Sequence, residues 1–355
     1  MALKHMTFPT ETSHACALQV LDGALAPVMP YLEDEQVQEI MINSPSSIWI
    51  ERAGHMTRTS ASLRPLDLEM AVRAIASINE KRIGVLTDAR LPGIRIAAVM
   101  SPVALHGHAM CLRKHSPRKT SLNDYALPLT DDNPTHPSII ASSPHPVRPS
   151  DESVRRGGHG LVAFLRWAVA SRCNLLVAGG TSSGKTTLAN ALLDSVPAEH
   201  RVITLEDTAE LRLDLPNCVS FEASPTLGVD IRALVKMCLR FRPDRIVVGE
   251  IRGAEAYDLV DSLNTGHSGG ITTIHADHAE SALDRLETLM RMSQDAAGFP
   301  HEALRKRIAG TFAFIIETAN RNGLRGPVRV VELLGYANQA YAFREIYSNN
   351  ERKLA

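Results

Sequence analysis

Between residues 174 and 276 the chain alternates short apolar runs with amphipathic stretches. NLLVAGG (174–180), RVITLED (201–207), RIVVGE (245–250) and GITTIHA (270–276) are strand-length and almost continuously apolar. Strands buried on both faces have that pattern. A helix is predicted to start near Gly184. The stretch 230–240 places Ile231, Leu234, Cys238 and Phe241 on one helical face, and a further helix is predicted over 254–263. Strands alternating with helices predict a largely parallel sheet covered by helices. Upstream the pattern is mixed α+β. Residues 35–40 read as a short helical turn running into the strand IMIN (40–43), followed by a turn at Ser44-Pro45 and a strand over 47–51. Asp67 is placed to cap a helix over 68–78, whose Met70, Ala71, Ala74, Ile75 and Ile78 share a face. Strands are predicted over 94–100 and 109–113.

Proline usage divides the chain. Seven of its 20 prolines fall between Pro117 and Pro149, where each one removes a backbone donor and holds the preceding residue extended. This predicts an α+β domain over 15–115, a semi-rigid linker over 116–154 and an α/β domain over 155–355. The total of 355 residues suits two domains. Charge then narrows the function. Lys+Arg 38 against Asp+Glu 39 gives a net charge of −1, so no stable nucleic-acid binding is expected. The five scattered cysteines fit neither a disulfide framework nor a four-cysteine zinc site. No apolar run reaches the roughly 20 residues of a membrane span. The first residues lack the apolar stretch of a secretory signal. A cytoplasmic protein is expected, touching membrane only through a partner or peripherally.

Chemistry concentrates in the second domain. Gly179, Gly180, Thr181, Ser182, Ser183, Gly184, Lys185 and Thr186 fit G-x-x-x-x-G-K-[ST] in full, between an apolar strand and the helix continuing from Thr187. Such a loop turns backbone N–H groups and a helix N-terminus toward phosphate oxygens. Lys185 is expected on the β- and γ-phosphates and the Thr186 hydroxyl on Mg²⁺, which makes ATP and Mg²⁺ the expected ligands. Glu250 ends an apolar strand at the ligand edge of such a sheet. There it can polarise the attacking water or contact the metal. Glu206 and Asp207 end another strand; Glu206 is expected to face the site, whereas Asp207 suits either the site or the cap of a turn over 208–211. His267 and His275, eight apart across a glycine-rich turn and a strand, suit sensing of a γ-phosphate; either also suits an ordinary structural histidine. Spacing alone does not choose among Arg90, Arg95, Arg113, Arg240, Arg242 and Arg252 for a phosphate-contacting arginine.

GGTSSGKTT, ITLEDTAEL, LRFRPDRIVVGEIRG and TGHSGGITTIHA, in this order, resemble the P-loop, Asp box, Walker B and His box of the secretion ATPases. Those proteins serve type II and type IV secretion, type IV pili and conjugation. LEDEQVQEIMINSPSSIWIERAG also looks like the family's N-terminal domain. The set is most similar to the conjugal-transfer branch of TrbB type, with tight-adherence pilus assembly as the alternative branch. The resemblance implies a RecA-like P-loop domain behind a smaller α+β domain, and homo-hexameric rings with nucleotide between the two domains. It further implies ATP hydrolysis that drives an inner-membrane secretion or conjugation channel from its cytoplasmic face. It assigns Arg113 to transition-state charge and draws a second arginine from the stretch holding Arg90 and Arg95. It raises Glu206, His267 and His275 as site residues. A non-hydrolysing nucleotide-gated scaffold and a DNA-translocating motor are the readings from other classes. The proline-rich segment is longer than the family's usual linker.

Overall fold

The structure is a computed structural model that describes residues 12–52, 54–79, 84–114, 120–126, 147–321 and 324–349. The chain divides into two compact units, 1–119 and 120–355.

In the first unit, α1 (Thr12–Ala24) and α2 (Met29–Glu33) precede β1 (Val37–Ser44), β2 (Ser47–Arg52) and β3 (His55–Arg58). Then come α3 (Pro65–Ile78), β4 (Leu86–Leu91), β5 (Ile94–Val99) and β6 (Ala109–Lys114). The six strands form one antiparallel sheet in the order β3-β2-β1-β6-β5-β4. Alternation decides which side is buried. Ile40, Ile42, Ile48, Ile50, Ile96 and Leu112 pack with Leu21 of α1 and with Leu68, Val72 and Ile75 of α3. The same period places Arg90 opposite Arg95, and Arg95 opposite Arg113, in one cross-strand row.

Two expectations for this unit are corrected. Residues 37–40 are strand rather than helical turn: Val37, Glu39 and Ile40 pair with Arg52, Glu51 and Ile50 of β2, and buried Ile40 and Ile42 alternate with Met41 and polar Asn43. Helix α3 starts at Pro65, behind Arg64. A proline in the first helical position needs no N–H and already has a helical φ. Asp67 therefore lies inside the first turn and does not cap; its carboxylate takes two hydrogen bonds from Arg64, at 2.6 and 2.7 Å.

The second unit carries α4 (Asp151–Arg155), α5 (His159–Ala170), β7 (Leu175–Gly179), α6 (Lys185–Leu193), β8 (Val202–Glu206) and β9 (Cys218–Glu222). It continues with α7 (Ile231–Cys238), β10 (Arg245–Ile251), α8 (Glu255–Asn264), β11 (Ile271–His275), α9 (Ala279–Arg291) and α10 (His301–Thr311). Three strands, β12 (Phe314–Arg321), β13 (Leu324–Ala337) and β14 (Ala340–Ser348), complete it. The sheet order is β14-β13-β12-β7-β11-β10-β8-β9. Strands β9 to β12 of that order run parallel, and the β12–β13–β14 meander is antiparallel. Burial on both faces explains the continuous apolar runs. Val177, Ile316 and Val330 meet α5 and α6 on one side, and Leu176, Ala178, Ile315 and Val331 meet the α8–α10 layer on the other.

Much of the stretch read as linker, 116–119 and 127–146, lies outside the described residues. Its described parts pack on the second unit. Leu122 and Val154 are buried in that unit's core. The Arg148 guanidinium lies 5.3 Å from the Trp167 ring centroid and pairs with both oxygens of Glu332 at 3.1 Å. Stacking on the rings and a two-pronged carboxylate contact together use the planar shape that lysine lacks.

Arg245, at the start of β10, is fully buried. Its guanidinium donates to the carbonyls of Val169 (2.7 Å) and Gly269 (3.2 Å) and to Nδ1 of His200 (3.0 Å). Burial lowers its pKa to about 10. Arg245→Ala strands two buried carbonyls and opens a cavity, so the unfolding free energy of the second unit is expected to fall by roughly 3 kcal/mol. Urea denaturation reads this; a loss below about 1 kcal/mol would mean that water replaces the side chain at little cost.

Candidate active site

Parallel strands end at a common edge, and in the second unit that edge gathers the chemistry. The loop 180–184 leaves β7 and turns directly into α6. Gly179 leaves β7 through a space too small for a side chain. A Cβ there would lie 2.3 Å from Oγ1 of Thr318 and 2.4 Å from Oγ of Ser183. Those two hydroxyls are bonded to each other at 2.8 Å, and Thr318 also donates to the Ala178 carbonyl. The Ser183 side chain is thus spent inside the protein, which leaves backbone N–H groups for a ligand. Ser182 and Gly184 take left-handed backbone angles, φ 58° and 97°. The Lys185 ammonium donates to the carbonyls of Gly179 and Gly180, each at 2.9 Å. Thr181 and Thr187 are exposed, and Thr186 is half-buried at the α6 N-terminus.

Strands β8 and β10 bring the acids to the same edge. Glu206 is 4% exposed, and its Oε1 accepts the backbone N–H groups of Glu210 (2.9 Å) and Leu211 (3.0 Å). Burial outweighs those two donors and raises the Glu206 carboxyl to about 7. Its side chain lies across Gly249, where a Cβ would meet Glu206 Cγ at 2.8 Å. The Gly-Glu pair near the end of β10 is thereby explained: glycine at 249 makes room for the neighbouring strand's acid. Glu250, one residue on, is held by Arg252, whose Nε and Nη2 donate to Oε2 at 2.9 and 2.5 Å. Arg252 also reaches Asp207 at 3.8 Å. The turn that Asp207 was expected to cap is absent, because residues 208–211 are not helical, and Glu206 accepts the backbone N–H groups of Glu210 and Leu211.

His275 ends β11, exposed and in register with Gly179. His267 is not brought to this edge. Leu175 donates to the Gly270 carbonyl at 2.8 Å, and Asn174 Oδ1 accepts from Gly269 and Gly270. The turn 266–270 therefore sits at the beginning of β7, four residue steps or roughly 13 Å from Gly179. Arg240 and Arg242 precede β10 at that same far edge. Arg113 and Arg95 belong to the first unit, in the arginine row of its sheet, where Arg95 pairs with Asp88 at 3.3 Å.

Sequence reasoning missed two side chains at the edge. Asp277 Oδ1 lies 3.4 Å from where a Cβ on Gly180 would stand; its signal was a carboxylate two residues beyond His275. Glu317 of β12 is buried, accepts from the Ala279 N–H at 2.7 Å and from Arg329 at 2.9 Å, and so ties the start of α9 to the strand beside β7. No local pattern announces Glu317.

A family described as type II/IV secretion system protein matches residues 158–321. The conjugal transfer protein TrbB of Rhizobium radiobacter is 33% identical over 319 residues, 87% of this chain and 88% of its own length. The chain belongs to this secretion-system family. The type IV secretion system protein PtlH of Bordetella pertussis is 34% identical over 325 residues, 88% of this chain and 94% of PtlH. The X-ray structure of the Legionella pneumophila ATPase DotB shares the fold at a TM-score of 0.52 and 18% identity, covering 96% of this chain and 82% of DotB. The expected α/β class is the one observed, and no helix among the described residues is long and apolar enough to cross a membrane.

The state of Glu206 makes this secretion-system protein's stability depend on pH. Its folded pKa, about 7, lies above the ordinary 4.5, so the folded chain holds that proton where the unfolded chain has lost it. The contribution is present at low pH and is lost as pH rises through this window. The stability of Glu206→Gln relative to wild type is therefore expected to increase from about pH 5 to pH 8, read as urea midpoints. A gap that shrinks over this range would refute the assignment.

Proposed function

We propose that this chain is an ATP hydrolase that powers a type IV secretion or conjugal-transfer apparatus. The observation that carries the reading is a complete P-loop at the end of β7, with Glu206 ending β8 and Glu250 next to last in β10 of the same sheet. The backbone of 179–186 and the α6 N-terminus bind the phosphates. Lys185 leaves its own loop carbonyls for the β- and γ-phosphates, exchanging two neutral acceptors for charged ones. Glu250 orients and deprotonates the attacking water, released for this by Arg252. Glu206, whose proton exchanges near neutrality, assists from the neighbouring strand. His275, level with Gly179, senses whether the γ-phosphate is present. Arg113 supplies positive charge to the transferred phosphoryl group, and Arg95 assists it.

Hydroxyl and carboxylate oxygens are the hard donors that Mg²⁺ prefers, so the Thr186 hydroxyl and the Glu250 carboxylate fit it as ligands. When bound, Mg²⁺ neutralises phosphate charge. Further parts of the reading are a homo-hexameric ring, a place at the cytoplasmic face of the inner membrane, and channel proteins as partners. Loss of the γ-phosphate removes the contacts that distinguish two conformations, and that difference drives the work.

Lys185→Ala is expected to abolish both ATP binding and turnover. Glu250→Gln is expected to lower phosphate release by at least about 100-fold while ATP still binds. Calorimetry with magnesium and a phosphate-release assay on the full chain separate the two, and wild-type turnover in Glu250→Gln would remove its role. Arg113→Ala is expected to lower turnover about 10³-fold; a change below about threefold in the same assay would reassign that charge.

A further inference from the structure

The nucleotide reading leaves one end of the ligand without protein partners, and the sheet order indicates where they lie. Strand β7 has two neighbours, β11 and β12. The acids that activate water at the γ-phosphate, Glu206 and Glu250, sit beyond β11, on β8 and β10. A triphosphate laid along 179–186 with its γ end toward them must carry its nucleoside toward β12 and β13. There the chain closes directly on the loop. A Cβ on Gly184 would lie 3.2 Å from Cβ of Arg325 and 3.8 Å from the Arg325 carbonyl carbon. Arg325 is paired in register with Asn320, two residues beyond the Thr318 that bonds Ser183. Behind it, a Cβ on Gly326 would meet two ring carbons of Tyr125 at 2.9 Å, so the aromatic ring backs this part of β13.

We infer that Arg325 binds the nucleoside end of the nucleotide, its guanidinium meeting the 5′-phosphate nearest the sugar and the base. The inference rests on the ATP reading above and adds the residue that separates a nucleotide from a bare polyphosphate. A guanidinium suits both parts of that surface, because it donates in a fork to phosphate oxygens and lies flat on aromatic rings. Tyr125 acts as a positioning residue, holding the Arg325–Gly326 peptide against Gly184.

The test compares ATP, ADP and inorganic tripolyphosphate, each titrated with magnesium into the full-length chain. Arg325→Ala is expected to weaken ATP and ADP binding by at least about tenfold and to leave tripolyphosphate within about twofold. Arg325→Gln, read by the same ratio, serves if the alanine variant fails to fold. Unchanged ATP affinity in the variant overturns the assignment, as does an equal loss for ATP and tripolyphosphate. A wild-type chain that binds neither ligand removes the ATP reading itself, and this inference with it.

Discussion

The ligand edge of the second unit depends on close approach at two glycines. At Gly179 the buried hydroxyl pair of Ser183 and Thr318 occupies the volume that any side chain would need. At Gly249 the Glu206 side chain does the same. The first contact ties the phosphate loop to β12; the second seats a buried acid against the strand that carries Glu250. Neither depends on unusual backbone angles. Both are steric, and a single methyl group defeats either. A loop placed by such contacts has little freedom to drift, which is what backbone-mediated phosphate recognition requires.

The two edges of that sheet differ in charge. Glu206, Asp207, Glu250 and Asp277 lie where the strands end, alongside Lys185 and Arg252. Arg172, His200, Arg201 and Arg245 lie where strands begin or just before them. Burial and the neighbouring arginines lower the His200 pKa, and Arg172 donates to the carbonyls of Asp244 and Ser268. The far edge thus uses guanidinium groups to satisfy backbone carbonyls, while at the near edge the Glu206 carboxylate satisfies backbone N–H groups.

Much of this was legible from residue pattern. The four apolar runs became β7, β8, β10 and β11 because strands buried on both faces leave no polar alternation to misread. The P-loop was legible because its spacing is set by backbone geometry. His267 misled: eight residues look short along the chain, yet a five-residue strand carries its two ends to opposite edges of the sheet. The helical turn expected at 35–40 failed because a few residues do not separate a period of two from one of 3.6. Helices α1, α5, α9 and α10 and the β12–β14 meander went unread, since no motif drew attention to them. Glu317, Arg325 and Tyr125 matter through contacts with residues distant in sequence, and such contacts leave no local trace.

The anchoring of Arg148 among Phe164, Trp167 and Phe314 changes what the proline-dense segment is. Residues 120–126 and 147–155, on either side of it, are fixed to the same unit. Both flanks therefore belong to the second unit, which begins at residue 120, only a few residues after β6 ends. The expected linker is thus not one free stretch: its described flanks are built into the core and the aromatic cluster of the second unit.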